Sequence, residues 1–228
     1  LLAVLVASGS SRPDRITAMY TVLFAAGSVA IGRIVNLSLR RTAWTTMAIL
    51  LAVGGALLLP VCTPLLAPPA LRSHIAALGW SFDIESGKMN EPLPQWLADR
   101  LGWRELASDV AEVCAALPAD ERRDAVIVST NYGEAGALEL YGAEFHLPRV
   151  YATHNSYHTW GSPADSVKTY VCVYVNGDDL RRRFESVVEA KVHTCADCTR
   201  PQRSIPIYVA RGPQFSMSAA WRRFKTFN

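Results

Sequence analysis

Three short polar runs hold the side chains in this sequence that could do chemistry. They are Ser129-Thr130-Asn131-Tyr132-Gly133-Glu134-Ala135-Gly136, then Thr153-His154-Asn155-Ser156-Tyr157-His158-Thr159-Trp160-Gly161, then Asn176-Gly177-Asp178-Asp179. Asn, Glu and His side chains hydrogen-bond sugar hydroxyls or a phosphate, and Tyr157 or Trp160 offers an apolar face to a sugar ring. Glu134 and His154 also suit acid and base roles. The residues read as ligand-facing are therefore Asn131, Tyr132, Glu134, His154, Asn155 and Trp160. Each also has a plain structural reading. Asn131 suits a helix N-cap, Glu134 complements a helix N-terminal dipole, and His154 can satisfy a loop carbonyl. The glycines make neither GxGxxG nor GxxxxGK[ST], and GxSxG and HExxH are absent, so nucleotide-binding, hydrolase and metalloprotease readings lack support. Cys195-Ala-Asp-Cys198 has zinc-knuckle or redox spacing, but only His193 is near and no second pair exists. No metal site is assigned; a local disulfide or plain thiols are the readings left open.

The polar runs need elements to hold them, and the sequence supplies an α/β pattern. Leu97, Leu101, Leu106, Val110, Val113, Cys114 and Leu117 recur at steps of three and four, which predicts an amphipathic helix ended by Pro118. Ala125–Val128 is a short apolar run suited to a strand buried on both faces. A helix is predicted over Glu134–Tyr141, stopped by Gly142, with strands over Arg149–Ala152 and Thr169–Val175. Asp178 reads as the cap of a helix reaching about Ala190, and strands follow near Lys191–Thr194 and Ile205–Ala210. Strands alternating with helices imply a small α/β domain with a mainly parallel sheet. In such a sheet the three polar runs share the carboxyl edge, where open sheets bind ligands.

The front of the chain has a different character. The 228 residues are 50% hydrophobic and 19% charged, with a net charge of +3, which argues against disorder and against a nucleic-acid partner. Residues 1–70 carry Arg12, Arg15, Arg33, Arg40 and Arg41 against Asp14 alone. Thr42 to Leu71 is free of charge, long enough to cross the roughly 30 Å hydrocarbon core. Spans are predicted over about 16–36 and 42–63, with residues 1–8 as the end of another. Residues 1–69 thus read as a transmembrane region, 70–93 as an irregular connector and 94–228 as the α/β domain. The competing reading, a signal peptide plus a buried helix, lacks a positive n-region and a small-residue cleavage site. Arg33, Arg40 and Arg41 place the intervening hairpin in the cytoplasm, so the α/β domain is extracytoplasmic on a multi-pass protein of the cell membrane. The chain opens mid-helix without Met, and we read it as the C-terminal portion of a longer protein.

Several runs together resemble a family. Leu93-Pro-Gln-Trp-Leu-Ala-Asp-Arg-Leu-Gly-Trp103, Leu117-Pro-Ala-Asp-Glu-Arg122, Asn131-Tyr-Gly-Glu-Ala-Gly-Ala137, His154-Asn-Ser-Tyr157 with Trp160-Gly161, and Pro206-Ile-Tyr-Val-Ala-Arg-Gly212 before Trp221 look like the C-terminal part of bacterial family 39-like glycosyltransferases. These are relatives of the protein O-mannosyltransferases and of the lipid A aminoarabinose transferase. Arg12-Pro-Asp-Arg15 and Tyr20–Gly27 resemble the spans before that part. The resemblance implies a GT-C type membrane enzyme that moves a sugar from a polyprenyl-phosphate donor to a glycan, lipid or protein acceptor at the extracytoplasmic face. It places the catalytic carboxylate in an early loop upstream of this sequence, so no catalytic residue is assigned here. It implies no cofactor within this sequence and allows a divalent cation in the full-length enzyme. Arg12 and Arg15 suit a phosphate contact or ordinary interfacial anchoring. The alternative is a non-catalytic, membrane-anchored domain that binds glycan or lipid. A soluble-domain hydrolase would need a nucleophile–base pair that the sequence does not offer.

Overall fold

A computed structural model describes residues 17–34, 36–84 and 87–227, which divide after Leu65 into two units. Residues 1–8, Arg12 and Arg15 lie outside the described residues.

The first unit is a helical pair, α1 (Thr17–Gly32) and α2 (Leu37–Cys62). Asn36 starts α2 by accepting the backbone N–H groups of Ser38 (3.0 Å) and Leu39 (3.2 Å). Val22, Leu23 and Phe24 of α1 and Ile49, Leu50 and Leu51 of α2 are all exposed, so both helices are apolar without an inward stripe. Only α2, at 26 residues, is long and apolar enough to cross a membrane among the described helices. The expected span over 16–36 shortens to the 16 residues of α1, whose rise is about 24 Å.

The second unit begins with α3 (Pro68–Ala77) and an antiparallel pair, β1 (Phe82–Ile84) and β2 (Gly87–Glu91). The irregular connector expected over 70–93 is therefore corrected. Pro68 and Pro69 occupy the first turn of α3, where a missing N–H costs nothing, and Leu71 and Ile75 make its buried stripe. The long helix expected from Leu97 is split into α4 (Gln95–Ala98) and α5 (Trp103–Ala115), because Gly102 between them is left-handed, with φ 77°. A short α6 (Ala119–Asp124) leads to the sheet.

Five strands form that sheet: β3 (Val126–Ser129), β4 (Val150–Ala152), β5 (Thr169–Val173), β6 (Phe184–Thr194) and β7 (Ser204–Pro213), in the order β4-β3-β5-β7-β6. β3 pairs in parallel with β4 and β5, whereas β7 runs antiparallel to β5 and β6. The sheet is thus mixed, and not mainly parallel. Its cause is local: β6 joins β7 through residues 195–203, too few for a crossover, so the two form a hairpin. The helix expected from Asp178 to Ala190 gives way to α9 (Gly177–Arg181) and β6, and Asn176 supplies the cap. Pairing along the whole of β7 outweighs the helix-forming bias of Glu185, Glu189, Ala190 and Lys191.

Both faces are covered. On one, Leu106, Val110 and Val113 of α5 and Ala135 and Leu138 of α7 (Tyr132–Phe145) pack on Ile127, Val171, Val173 and Ile207. On the other, Leu180, Met217 and Trp221 pack on Val126, Tyr170, Cys172 and Tyr208. Met217 and Trp221 belong to α10 (Met217–Trp221), and α8 (Asn155–Thr159) follows β4.

Candidate functional site

Register brings the carboxyl ends of three strands level, since Ser129 is paired with both Ala152 and Val173. The polar runs after β3, β4 and β5 therefore open on one edge, as the sequence predicts. The connections leave toward different faces: α7, after β3, packs with α5, while Leu180 of α9, after β5, packs with Tyr170 and Phe184. Such a divergence of connections is where open α/β sheets form ligand crevices.

The run after β3 is a tight cap. Ser129 Oγ donates to Asn131 O (3.1 Å), and Asn131 Oδ1 accepts from Gly133 N–H (3.2 Å) to start α7. Asn131 thus fills its structural role. The same Oδ1 lies 3.4 Å from His154 Nδ1, and since Oδ1 can only accept, Nδ1 donates in that contact. His154 is buried, and its Nε2 has no hydrogen-bond partner. The ring of Tyr132, itself 53% exposed, stands 5.0 Å from the imidazole centroid.

Glu134 is the outstanding group. It occupies the first turn of α7 and is 0% exposed. Apart from its own backbone N–H, neither carboxylate oxygen finds a partner among the described residues. Burial pushes its pKa up to about 7, with a smaller contribution from the charge of Asp99. The helix dipole favours the anion at this position, but desolvation wins. Tyr174 feels the same carboxylate, and burial together with Glu134 raises its pKa.

Three non-glycine residues among those described are left-handed; His146 (φ 54°) ends α7, and the other two lie at this edge. Asn155 (φ 50°) and Tyr174 (φ 57°) are left-handed without being glycine, a conformation that costs about 1 kcal/mol or more and clusters at functional sites. Tyr174 is held by Thr130 Oγ1, which donates to its carbonyl, and Asn155 N–H donates to Thr226 O (2.9 Å). Asn155 therefore acts through its backbone, latching the carboxyl-terminal segment to the loop.

Asn131, Tyr132 and His154 are brought into contact, and Glu134 is buried on the same helix turn. Trp160 is not part of that cluster. It is 61% exposed and its ring lies tilted against Tyr157 (centroids 4.4 Å apart), whose hydroxyl donates to Glu139 (2.8 Å). Tyr174 and Thr130 were not legible as site residues, because nothing in a Tyr or Thr side chain announces a left-handed neighbour. Cys195 and Cys198 form a disulfide against Gly102, where any side chain would meet both sulfurs at 2.9 Å. No group of three or more metal-ligating side chains gathers among the described residues. No family model matches this chain, and no curated protein or solved structure matches it either.

Proposed function

We propose that the chain is the C-terminal part of an integral-membrane glycosyltransferase that takes its sugar from a polyprenyl-phosphate donor at the extracytoplasmic face. Residues 66–228 form the lobe that positions donor or acceptor. The observation that supports this reading is convergence. Runs far apart in sequence, each resembling the family 39-like transferases, meet at one edge around Glu134. Trp103 lies against Gly133, Asp99 acts on Glu134 through its charge, and His154 touches Asn131. The Cys195–Cys198 disulfide fits an oxidising compartment.

In this reading an acceptor hydroxyl attacks the anomeric carbon while the bond from that carbon to the phosphate oxygen breaks. The hydroxyl proton passes to a carboxylate upstream of this sequence, and cations stabilise the departing phosphate. Arg12 and Arg15 are the proposed phosphate contacts in the chain, and a divalent cation can serve the full-length enzyme in the same way. The exposed ring of Tyr132 meets the sugar, while Glu134, half-protonated near neutral pH, and His154 lie buried beneath it and hold the edge in shape. The test is transfer of labelled sugar from polyprenyl phosphate by membranes containing the full-length protein. Transfer by the wild type and rates at least tenfold lower for Glu134→Gln and His154→Ala are expected, since the first removes the titrating carboxyl beneath the edge and the second the imidazole that meets Asn131 and Tyr132. Wild-type rates in both variants would remove the site, and no transfer by the wild type would remove the activity.

A second reading is a non-catalytic glycan-binding lobe. The exposed rings of Tyr132 and Trp160 favour it, because stacking on a sugar ring needs no reacting group. It predicts saturable oligosaccharide binding by residues 66–228 with no turnover in the full protein.

A further inference from the structure

The face of the sheet opposite α7 contains a cavity of about 190 Å³ that none of the sequence-predicted site residues lines. Its walls are apolar: Tyr170, Cys172, Phe184, Phe215, Trp221 and Phe224. An engineered apolar cavity of about 150 Å³ takes up benzene, so this space suits a ring or a short run of chain. Its polar lining residues include Asp179 and Arg183. Asp179 is already paired with Arg182. The Arg183 guanidinium stacks over Phe224, 5.2 Å from the ring centroid, and has no carboxylate partner among the described residues.

A second hollow of about 380 Å³ adjoins the first and shares Arg183, Phe215 and Phe224 with it. Arg182, Arg183 and Arg223 line it, and no acidic side chain does. An apolar pocket and an arginine-lined cleft thus meet at one pair of aromatic rings and at Arg183. Guanidinium groups select planar or tetrahedral oxyanions through paired N–H donors.

We propose that this pocket and cleft bind a single-chain anionic amphiphile, its apolar chain in the cavity and its phosphate or carboxylate head on Arg183. The site shares Thr130 and Thr153 with the loops of the sheet edge but is lined by neither Glu134 nor His154, and the proposal does not depend on the transferase reading. Charge complementarity decides the occupant, because a neutral chain would leave Arg183 and Arg223 without a counter-charge among the described residues, and a bare anion would leave the cavity without an occupant.

The test is calorimetric titration of the full chain in phosphatidylcholine nanodiscs with hexyl phosphate, hexanoate, hexanol and inorganic phosphate. Saturable binding of hexyl phosphate or hexanoate is expected, with hexanol and inorganic phosphate each at least tenfold weaker. Arg183→Gln, a change at an exposed side chain, should weaken the anionic amphiphile roughly tenfold, the loss of a charge-assisted hydrogen bond. Val175→Trp, which fills the cavity from a half-buried wall position, should abolish binding while the unfolding midpoint stays within a few degrees. No saturable binding by either amphiphile would overturn the proposal, as would affinities unchanged in Arg183→Gln. Inorganic phosphate binding as tightly as hexyl phosphate would reduce the site to an arginine cluster and overturn it too.

Discussion

Residues 17–62 and residues 66–227 dispose of their apolar side chains in opposite ways. In the helical pair, Leu23, Phe24, Ile49, Leu50 and Leu51 face outward, and Leu50 is 65% exposed. In the α/β lobe, Leu106, Val110, Ile127, Leu138, Val171 and Ile207 are sealed between helices and sheet. The lobe encloses its apolar side chains, and the pair leaves its own exposed. The proposal of a membrane-embedded first unit and a water-facing second unit starts from that contrast and from no single motif.

The contrast is sharpest under substitution. Leu138→Ala removes a fully buried side chain and should cost the lobe about 2–5 kcal/mol, read from urea or thermal unfolding. A loss below about 1 kcal/mol would show that the lobe core is looser than its packing implies.

Glu134 breaks the rule that the lobe buries only what it satisfies. Its folded-state pKa lies above that of an unfolded carboxyl, so the native state holds a proton that the unfolded state has already lost. Stability from this group is therefore full below about pH 4.5 and declines as pH rises to about 7, then stays flat. Glu134→Gln should stabilise the lobe at pH 8 by an amount of order 3 kcal/mol and change it little at pH 4. Equal effects at both pH values would contradict a buried, unpaired carboxyl.

Reduction of Cys195–Cys198 opens a short loop at the β6–β7 turn and should cost about 2 kcal/mol. Unfolding in the presence and absence of a reductant checks it. The smallest effect belongs to the helical pair: Leu50→Ala should move stability in detergent by less than about 0.5 kcal/mol.

What the sequence made legible follows from which forces are local. AVIV and TYVCV announce strands because β-branched and aromatic runs fit a sheet buried on both faces, and the edge carrying Asn131 and His154 follows from that pairing. The Asn131 cap was readable for the same reason. The end of β6, Lys191–Thr194, was readable as a strand, but Phe184–Ala190 was not, since its alternation is faint and only the hairpin partner β7 holds it as a strand. Residues 70–93 read as irregular although Pro68 and Pro69 open a helix that runs into them, which is set by Leu71 and Ile75 finding a buried place. Burial of Glu134 and the cavity under Phe215, Trp221 and Phe224 arise from side chains distant in sequence, which no local pattern encodes.

Washing membranes that contain the full chain with alkaline carbonate tests the two-part account most directly. The full chain should remain with the bilayer pellet, while residues 66–228 produced alone should stay in the supernatant as a monomer. Release of the full chain into the wash, or aggregation of the lobe alone, would contradict it.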